Sequence, residues 1–493
     1  MKPNSKHSWR EILRATPLKR PANERCADFK EIYLSSDEAF IREQASRCIQ
    51  CGGQPLCQTG CPLSNRIPEW LALAADGEFL AAAKISSATS NMPEICSRVC
   101  PQEKLCEGAC ILNSCSEPIA IGAIEKFINE YALAHDDEID CAVAPANGRR
   151  VAVIGSGPGG LACADELAKL GYAVTIFEAQ SVPGGLLVNG IPAFKLEKGV
   201  VERRIRILKK RGIKFRLNTK IGRDISFLEL RQKFDAIFVG VGAQQPKALD
   251  VPGAELTGIY DALPFLMEKN VNGSSPQTVD VKGKYVAVLG GGDTAMDCLR
   301  TAIRAGAREA VCIYRRDLAN MPGSRKEYTN ALEEGAQFIF LTNPGSLEGE
   351  NASVANVRCV RMELGEPDAG GRRKPRPVPG SEFLVKAQVV IVAYGFDPFP
   401  LRQWGFDGVN MNEWGGIVID DKQMTSLPGV FAGGDSSRGP SLVVHAVRDA
   451  RKAAVSIDEY LDATLATASM VGALDENKSL LRLKPLRRSD RFD

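Results

Sequence analysis

The side chains with most chemical capacity in this chain are its cysteines: 15 in 493 residues, with eleven of them between Cys26 and Cys141. They fall into two runs, Cys48-x2-Cys51-x5-Cys57-x3-Cys61-Pro62 and Cys96-x3-Cys100-Pro101-x4-Cys106-x3-Cys110. Thiolates this close in sequence can be gathered around an inorganic centre by a few turns of backbone. Met1 to Arg20 holds no apolar stretch of signal-peptide length, so the disulfide framework of a secreted protein lacks its oxidising compartment. Metal or iron-sulfur ligation is the better expectation. Both runs contain a Cys-x3-Cys-Pro unit, and two such echoes over eight cysteines suit two cubane clusters. Structural zinc, which takes paired ligands in groups of four, is the rival reading. The later cysteines, Cys163, Cys298, Cys312 and Cys359, are isolated and read as small core residues.

Three glycine turns follow. Val151-Ala-Val-Ile154 opens onto Gly155-Ser-Gly157-Pro-Gly-Gly160, an amphipathic helix, and a run Val174-Thr-Ile-Phe177 that ends at Glu178. Such an order binds a dinucleotide: Gly155 permits the tight turn, Gly157 lets backbone approach a pyrophosphate, and Gly160 lets helix meet strand. Glu178 can accept both hydroxyls of a ribose diol. The second copy, Val286-Ala-Val-Leu289 and Gly290-Gly-Gly292-Asp-Thr-Ala295, has its next strand end in Arg315-Arg316. Guanidinium groups fork onto a 2′-phosphate that a carboxylate would repel, so this site is expected to prefer NADPH; the plain alternative is a pair of surface arginines. The third, Gly429-Val-Phe-Ala-Gly-Gly434-Asp435, precedes a helix over Leu442 to Ala454 that Asp435 could cap.

These motifs need a scaffold, and the period of the chain supplies one. Residues 1–145 carry helical patterns, Ile67 to Ile85 and Ile119 to Ala134, between cysteine loops. Pro145 to Arg150 reads as a linker. Beyond it, short apolar runs alternate with longer amphipathic ones, which predicts parallel strands at 151–154, 174–177, 236–239, 286–289, 310–314, 389–392 and 430–432. The fold class expected is α/β: an N-terminal helical iron-sulfur domain followed by two Rossmann-like dinucleotide-binding domains. The divisions are 1–145, a first dinucleotide-binding part at 146–280, an NADPH domain at 281–395, a part at 396–462 that carries the third glycine turn, and a tail at 463–493 whose Lys478, Arg482, Lys484, Arg487, Arg488 and Arg491 read as a solvated arm, a docking role being the alternative.

Composition narrows the function. Lys and Arg number 62 against 60 Asp and Glu, a net charge of +2, so no global field draws nucleic acid or an anionic membrane. With 44% hydrophobic and 25% charged residues the chain is globular, and no apolar run approaches the ~18 residues of a membrane span, so a cytoplasmic protein is expected. Only three histidines are present, which offers little to general acid-base catalysis, whereas hydride transfer between stacked rings needs no acid or base at the reacting carbon. No cysteine pair follows residue 141, so disulfide reduction is not expected.

The order GxGxxG with Glu178, nested GxGxxA, and late FAGGD resembles the two-dinucleotide-binding flavoproteins, in which FAD occupies the first and third elements; that likeness implies contact of Asp435 with the ribityl and pyrophosphate part of FAD. Over Arg20 to Asp458 the chain is further similar to the small (beta) subunits of bacterial glutamate synthase and to the N-terminal half of dihydropyrimidine dehydrogenase. The matching segments are Pro93-Glu-Ile-Cys-Ser-Arg-Val-Cys-Pro101, Leu105-Cys-Glu-Gly-Ala-Cys110, Ile121-Gly-Ala-Ile-Glu125 and Gly184-Gly-Leu-Leu-Val-Asn-Gly-Ile-Pro-Ala-Phe-Lys195. The resemblance implies two 4Fe-4S clusters, one on Cys48, Cys51, Cys57 and Cys110, the other on Cys61, Cys100 and Cys106 with Glu125 as a non-cysteine ligand. Cys26, Cys96, Cys115 and Cys141 remain as spare thiols. One departure is the five-residue gap before Cys57, where the family pattern has four. The same likeness implies electron input: NADPH reduces FAD, and single electrons pass through the clusters to a large (alpha) FMN-containing subunit in a hetero-oligomer that makes glutamate from glutamine and 2-oxoglutarate. Glutamine hydrolysis is not expected in this chain, which begins Met1-Lys2 and lacks an N-terminal cysteine nucleophile. The same module could serve another acceptor, such as a ferredoxin, a pyrimidine-reducing subunit or a transhydrogenase partner.

Overall fold

The computed structural model describes residues 7–135, 143–271, 278–367 and 373–480. Cys141 and the tail arginines 482–491 lie outside them. In the N-terminal region, helices Glu38–Ser46, Ile67–Asp76, Phe79–Thr89, Pro93–Val99 and Ile121–His135 carry the cysteine loops between them. Four of them share a core built on Ile41, Trp70, Leu71, Phe79, Ile124 and Ile128, while Pro93–Val99 packs Ile95 and Cys96 into the core of the first parallel sheet. The helical pattern at 67–85 is two helices, not one. Gly77 takes φ 87°, and the amides of Gly77 and Glu78 return to the carbonyls of Ala74 and Leu73, the left-handed stop that glycine makes cheaply.

From Arg150 the chain builds two parallel sheets. The first orders its strands Val430–Ala432, Ala236–Val239, Arg150–Ile154, Ala173–Phe177 and Lys214–Arg216, all parallel. Its central strands are buried on both faces, which is why they read as unbroken Val/Ile/Ala runs. Helices Pro158–Lys169 and Val443–Leu480 cover one face, packing Leu161, Leu167, Val447 and Ala454 over Val151, Val153 and Phe238.

The second sheet orders Ile259–Asp261, Val389–Val392, Tyr285–Leu289, Glu309–Ile313 and Gln337–Ile339, again all parallel. Its edge strand at 259–261 starts upstream of residue 281, because Ile259 to Asp261 pair with Val390 to Val392 rather than with the first sheet. Between Gln337–Ile339 and Val389–Val392 the chain makes an antiparallel excursion, Thr342–Glu350, Ser353–Pro367, Arg373–Pro377 and Phe383–Lys386, which the sequence patterns did not announce. The second sheet is thus inserted in sequence between strands of the first. The helix after the third glycine turn runs without interruption to Leu480, past the expected boundary at 462. Among the described residues no helix is long and apolar enough to cross a membrane.

Candidate active site between the glycine loops and the cysteine sets

The first glycine loop has two steric demands that only glycine meets and one bare position. Gly155 sits at φ 98°, and a methyl there would lie 2.5 Å from the Gly240 carbonyl oxygen. A methyl on Gly160 would lie 1.9 Å from the Gly155 oxygen. Gly157 faces open space, the one place where a bound group can meet bare backbone. Glu178 closes the far side: Oε2 accepts from the Ser156 amide at 3.0 Å and its hydroxyl at 2.5 Å, and Oε1 from the Gln180 amide at 2.8 Å. An ionised carboxylate offers about four acceptor positions, so these three bonds orient Glu178 and leave about one position, on Oε1, for a ribose hydroxyl. Gly434, at φ 68°, starts the short helix Asp435–Arg438, and burial pushes the Asp435 carboxyl up to about 7.

The second loop repeats the plan. Gly290 has φ 140° with the Ala393 oxygen 2.3 Å from where a methyl would stand, and Gly292 faces open space. Ala295 is fully buried at the position matching Gly160. Residues 323–324 lie over this loop: the Gly323 amide donates to the Gly291 oxygen at 3.0 Å, and the Ser324 amide to Asp293 Oδ1 at 2.9 Å. Arg315 is exposed, and Arg316 donates through Nε to the Arg373 oxygen at 3.1 Å. Neither lines the central cleft, so the pair stands at the outer end of the loop's strand.

All three turns converge on one cleft of about 630 Å³. Its wall includes Gly157, Glu178 and Asp435 from the first sheet, Asp293 and Asp297 after the second loop, and Cys100 with Pro101 from the cysteine region.

The cysteines gather in two places. Cys48, Cys51, Cys57 and Cys110 surround one small cavity with Leu56, Ile111 and Leu112. Burial, aided by the neighbouring thiols, pushes Cys57 up to about 12. Cys61, Cys100 and Cys106 form the second place, and the Glu125 carboxyl acts electrostatically on each of them. This set straddles two cores: Cys61 and Cys106 pack on the N-terminal helices, Cys100 on the first sheet's core. Burial lifts Glu125 to about 8, and its Oε1 accepts from Asn65 Nδ2 at 3.1 Å and Ser86 Oγ at 3.3 Å. Trp70 Nε1 in turn holds Asn65 Oδ1 at 3.1 Å. Glu125 thus stands on helix Ile121–His135 as a desolvated acid held by two side-chain donors. Among the described residues no three His, Cys, Asp or Glu side chains come together tightly enough for a single metal ion; a cubane cluster spreads its ligands over four separate irons.

Sequence reasoning missed several participants. Cys96, left as a spare thiol, is buried and hydrogen-bonds Cys100, its spacing within Cys96-x3-Cys100 being the available signal. Asn65, Ser86 and Trp70 behind Glu125 carry no motif. Lys195 lines the cleft with its Nζ 2.8 Å from Asp297 Oδ1, although its sequence segment gave no chemical reason to expect this. The later cysteines are single, free and buried.

Fold and site together define a dinucleotide-binding oxidoreductase with a cysteine-rich helical region at its N-terminus. A family described as pyridine nucleotide-disulphide oxidoreductase matches residues 149–450, and one described as dihydropyrimidine dehydrogenase domain II, 4Fe-4S cluster, matches residues 25–137. The glutamate synthase (NADPH) small chain of Escherichia coli is 44% identical over 463 residues, 92% of this chain and 98% of its own. That of Azospirillum brasilense is 45% identical over 458 residues, 91% of this chain and 94% of its own. Mycobacterium tuberculosis FprA in complex with NADPH shares the fold, with a TM-score of 0.57 at 22% identity over 66% of this chain and 86% of FprA. The chain belongs to the glutamate synthase small chain family, within the pyridine nucleotide-disulphide oxidoreductases.

Proposed function

We propose that this chain is the electron-input subunit of a glutamate synthase: it oxidises NADPH and delivers electrons to a large FMN-containing subunit that makes glutamate from glutamine and 2-oxoglutarate. The observation that carries this reading is the position of Cys100 and Pro101 in the wall of the cleft that both glycine loops share.

The residues fit the groups this function requires. Gly155, Gly157, Gly160, Glu178, Gly434 and Asp435 would hold FAD, with Gly157 bare toward the cleft where a pyrophosphate needs room. Gly290, Gly292, Ala295, Arg315 and Arg316 would hold NADPH, Gly292 being bare in the same way. Two 4Fe-4S clusters would take Cys48, Cys51, Cys57 and Cys110, and Cys61, Cys100, Cys106 and Glu125. When bound, these groups supply the conversion of a two-electron hydride into single electrons. The chain's own part is spatial. Its second cysteine set reaches the cleft through Cys100, while the first set lies beside Leu56 and Ile111, 50% and 45% exposed, a surface that would suit a partner. The cleft wall needs no acid or base at the hydride carbon; His445 lies on the helix whose Val443 and Ala446 line the cleft, but it is not itself in the wall and is bonded to Ser441 at 2.7 Å. A cytoplasmic setting and a hetero-oligomer follow from this role.

Co-purification under native conditions tests it. Protein recovered with iron, acid-labile sulfide and flavin, in complex with a large subunit and forming glutamate from NADPH, glutamine and 2-oxoglutarate, is the expected result. Iron-free, colourless protein contradicts the reading.

A further inference from the structure

The two nucleotide loops sit on different sheets, so the geometry of hydride transfer depends on whatever fixes one sheet against the other at the cleft. Residues 189–195, between strands of the first sheet, are seated on helices of the second. Asn270, at the end of helix Ala262–Asn270, donates Nδ2 to the Asn189 and Gly190 oxygens, both at 3.0 Å. Phe194 is fully buried, with the Arg300 and Arg304 guanidinium carbons 4.3 and 4.1 Å from its ring centroid. Lys195 Nζ lies 2.8 Å from Asp297 Oδ1 and 4.0 Å from Glu327 Oε2. Asp297, Arg300 and Arg304 are spaced three and four apart on helix Asp293–Arg304, so one helix face grips both side chains, and this is the helix that starts at the second glycine loop.

The grip is itself held. Arg300 Nη1 meets Glu327 Oε2 at 2.5 Å, Arg300 Nε and Arg304 Nη1 meet Glu334 Oε2 at 2.9 and 2.6 Å, and Arg25 from the N-terminal region reaches Glu334 Oε1 at 3.2 Å. Planar guanidinium groups stacked on a ring and locked in a carboxylate network hold a register that an aliphatic contact would let slide. Lys195 also stands between two cavities, the cleft and a second one of about 610 Å³ against the N-terminal region.

We propose that Phe194 and Lys195 form a positioning plug that sets the orientation of the nucleotide held by the second sheet toward the one held by the first. It rests on the electron-input reading for its kinetic consequence but not for its structural one. Lys195 acts through Asp297, not on the reacting atoms.

The test uses flavin- and iron-replete protein carrying Lys195→Met, Lys195→Met with Asp297→Asn, or Phe194→Leu. In Lys195→Met, the rate of flavin bleaching after anaerobic mixing with NADPH falls about 10- to 100-fold, the scale of a small misplacement of reacting groups. The NADP⁺ dissociation constant stays within about threefold, because the contacts of the second glycine loop are untouched. Amide hydrogen exchange in helix Asp293–Arg304 rises. The double variant removes both partners of the buried pair and regains thermal stability, but its bleaching stays slow. Phe194→Leu keeps an apolar plug without the stack and shows a smaller fall of the same sign. Wild-type bleaching in a folded single variant, or its return in the double variant, overturns the positioning role, as does unchanged exchange in that helix. If the wild-type protein itself is not bleached by NADPH, the functional reading fails instead, and the exchange measurement still decides on the plug.

Discussion

The two glycine loops each follow a strand with a turn at positive φ and a bare middle glycine, yet they differ at two positions. At the third position the first loop has Gly160, where a methyl would press to 1.9 Å on its own turn, while the second buries the methyl of Ala295 without conflict. The first loop is drawn tighter, with no room for a methyl between its third glycine and the start of the turn. At the end of the following strand, the first loop has Glu178, fixed by Ser156 and Gln180, and the second has an exposed Arg315 and a half-buried Arg316 bonded to the Arg373 oxygen. On the proposed assignment, one backbone plan would select two nucleotides through a methyl and a charge.

The largest effect should come from exchanging the third residue. Gly160→Ala sets backbone against backbone and should cost about 3 kcal/mol or more, with loss of flavin from the purified protein. Ala295→Gly should cost only about 1 kcal/mol, the helical penalty of glycine. Thermal unfolding and flavin content measure both, and equal losses would mean that the loops are not drawn differently. Next comes the charge. Replacing Arg315 and Arg316 together with Ser should remove about 1.5 to 3 kcal/mol from NADPH binding and leave NADH nearly unchanged. An unaltered ratio of NADPH to NADH turnover contradicts the assignment. Glu178→Gln keeps the shape but replaces one acceptor oxygen by a donor, and flavin affinity should fall by about 1 kcal/mol, read from flavin release on dilution.

The smallest effect lies outside both loops. Arg20 grips Asp28 in two hydrogen bonds of 2.9 and 2.7 Å, and the hydrogen bond from Arg20 holds this carboxyl down at about 2. A folded value below the unfolded 3.8 means that the pair contributes above pH 3.8 and loses its contribution as pH falls toward 2. The pair is near the surface, so Asp28→Asn should cost no more than about 0.5 kcal/mol at neutral pH, and the difference from wild type should vanish in acid. A difference that persists at pH 2 would show that Asp28 acts by other means.

Much of the framework was legible because its physics is local. Strands buried on both faces, such as Val286 to Leu289, must be apolar throughout, and glycines at positive φ must be glycines. The cysteine grouping around Cys48, Cys51, Cys57 and Cys110 was legible only through family likeness, since spacing alone cannot tell which loops meet. The hidden parts depend on pairing at long range. Edge strands of three residues, at 214–216, 259–261 and 337–339, are too short to carry a period. The antiparallel strands Ser353–Pro367 and Arg373–Pro377 carry many charged residues because much of their surface faces solvent. Lys195 and Asp297 are 102 positions apart and meet only once both sheets exist.

Anaerobic titration of iron- and flavin-replete protein with NADPH, followed by visible absorption and electron paramagnetic resonance, tests the central claim most directly. The flavin should bleach and an iron-sulfur signal should then appear, without any added acceptor. A flavin that stays yellow, or one that bleaches while the clusters remain oxidised, would contradict a cleft in which Cys100 stands beside the nucleotides to carry electrons away.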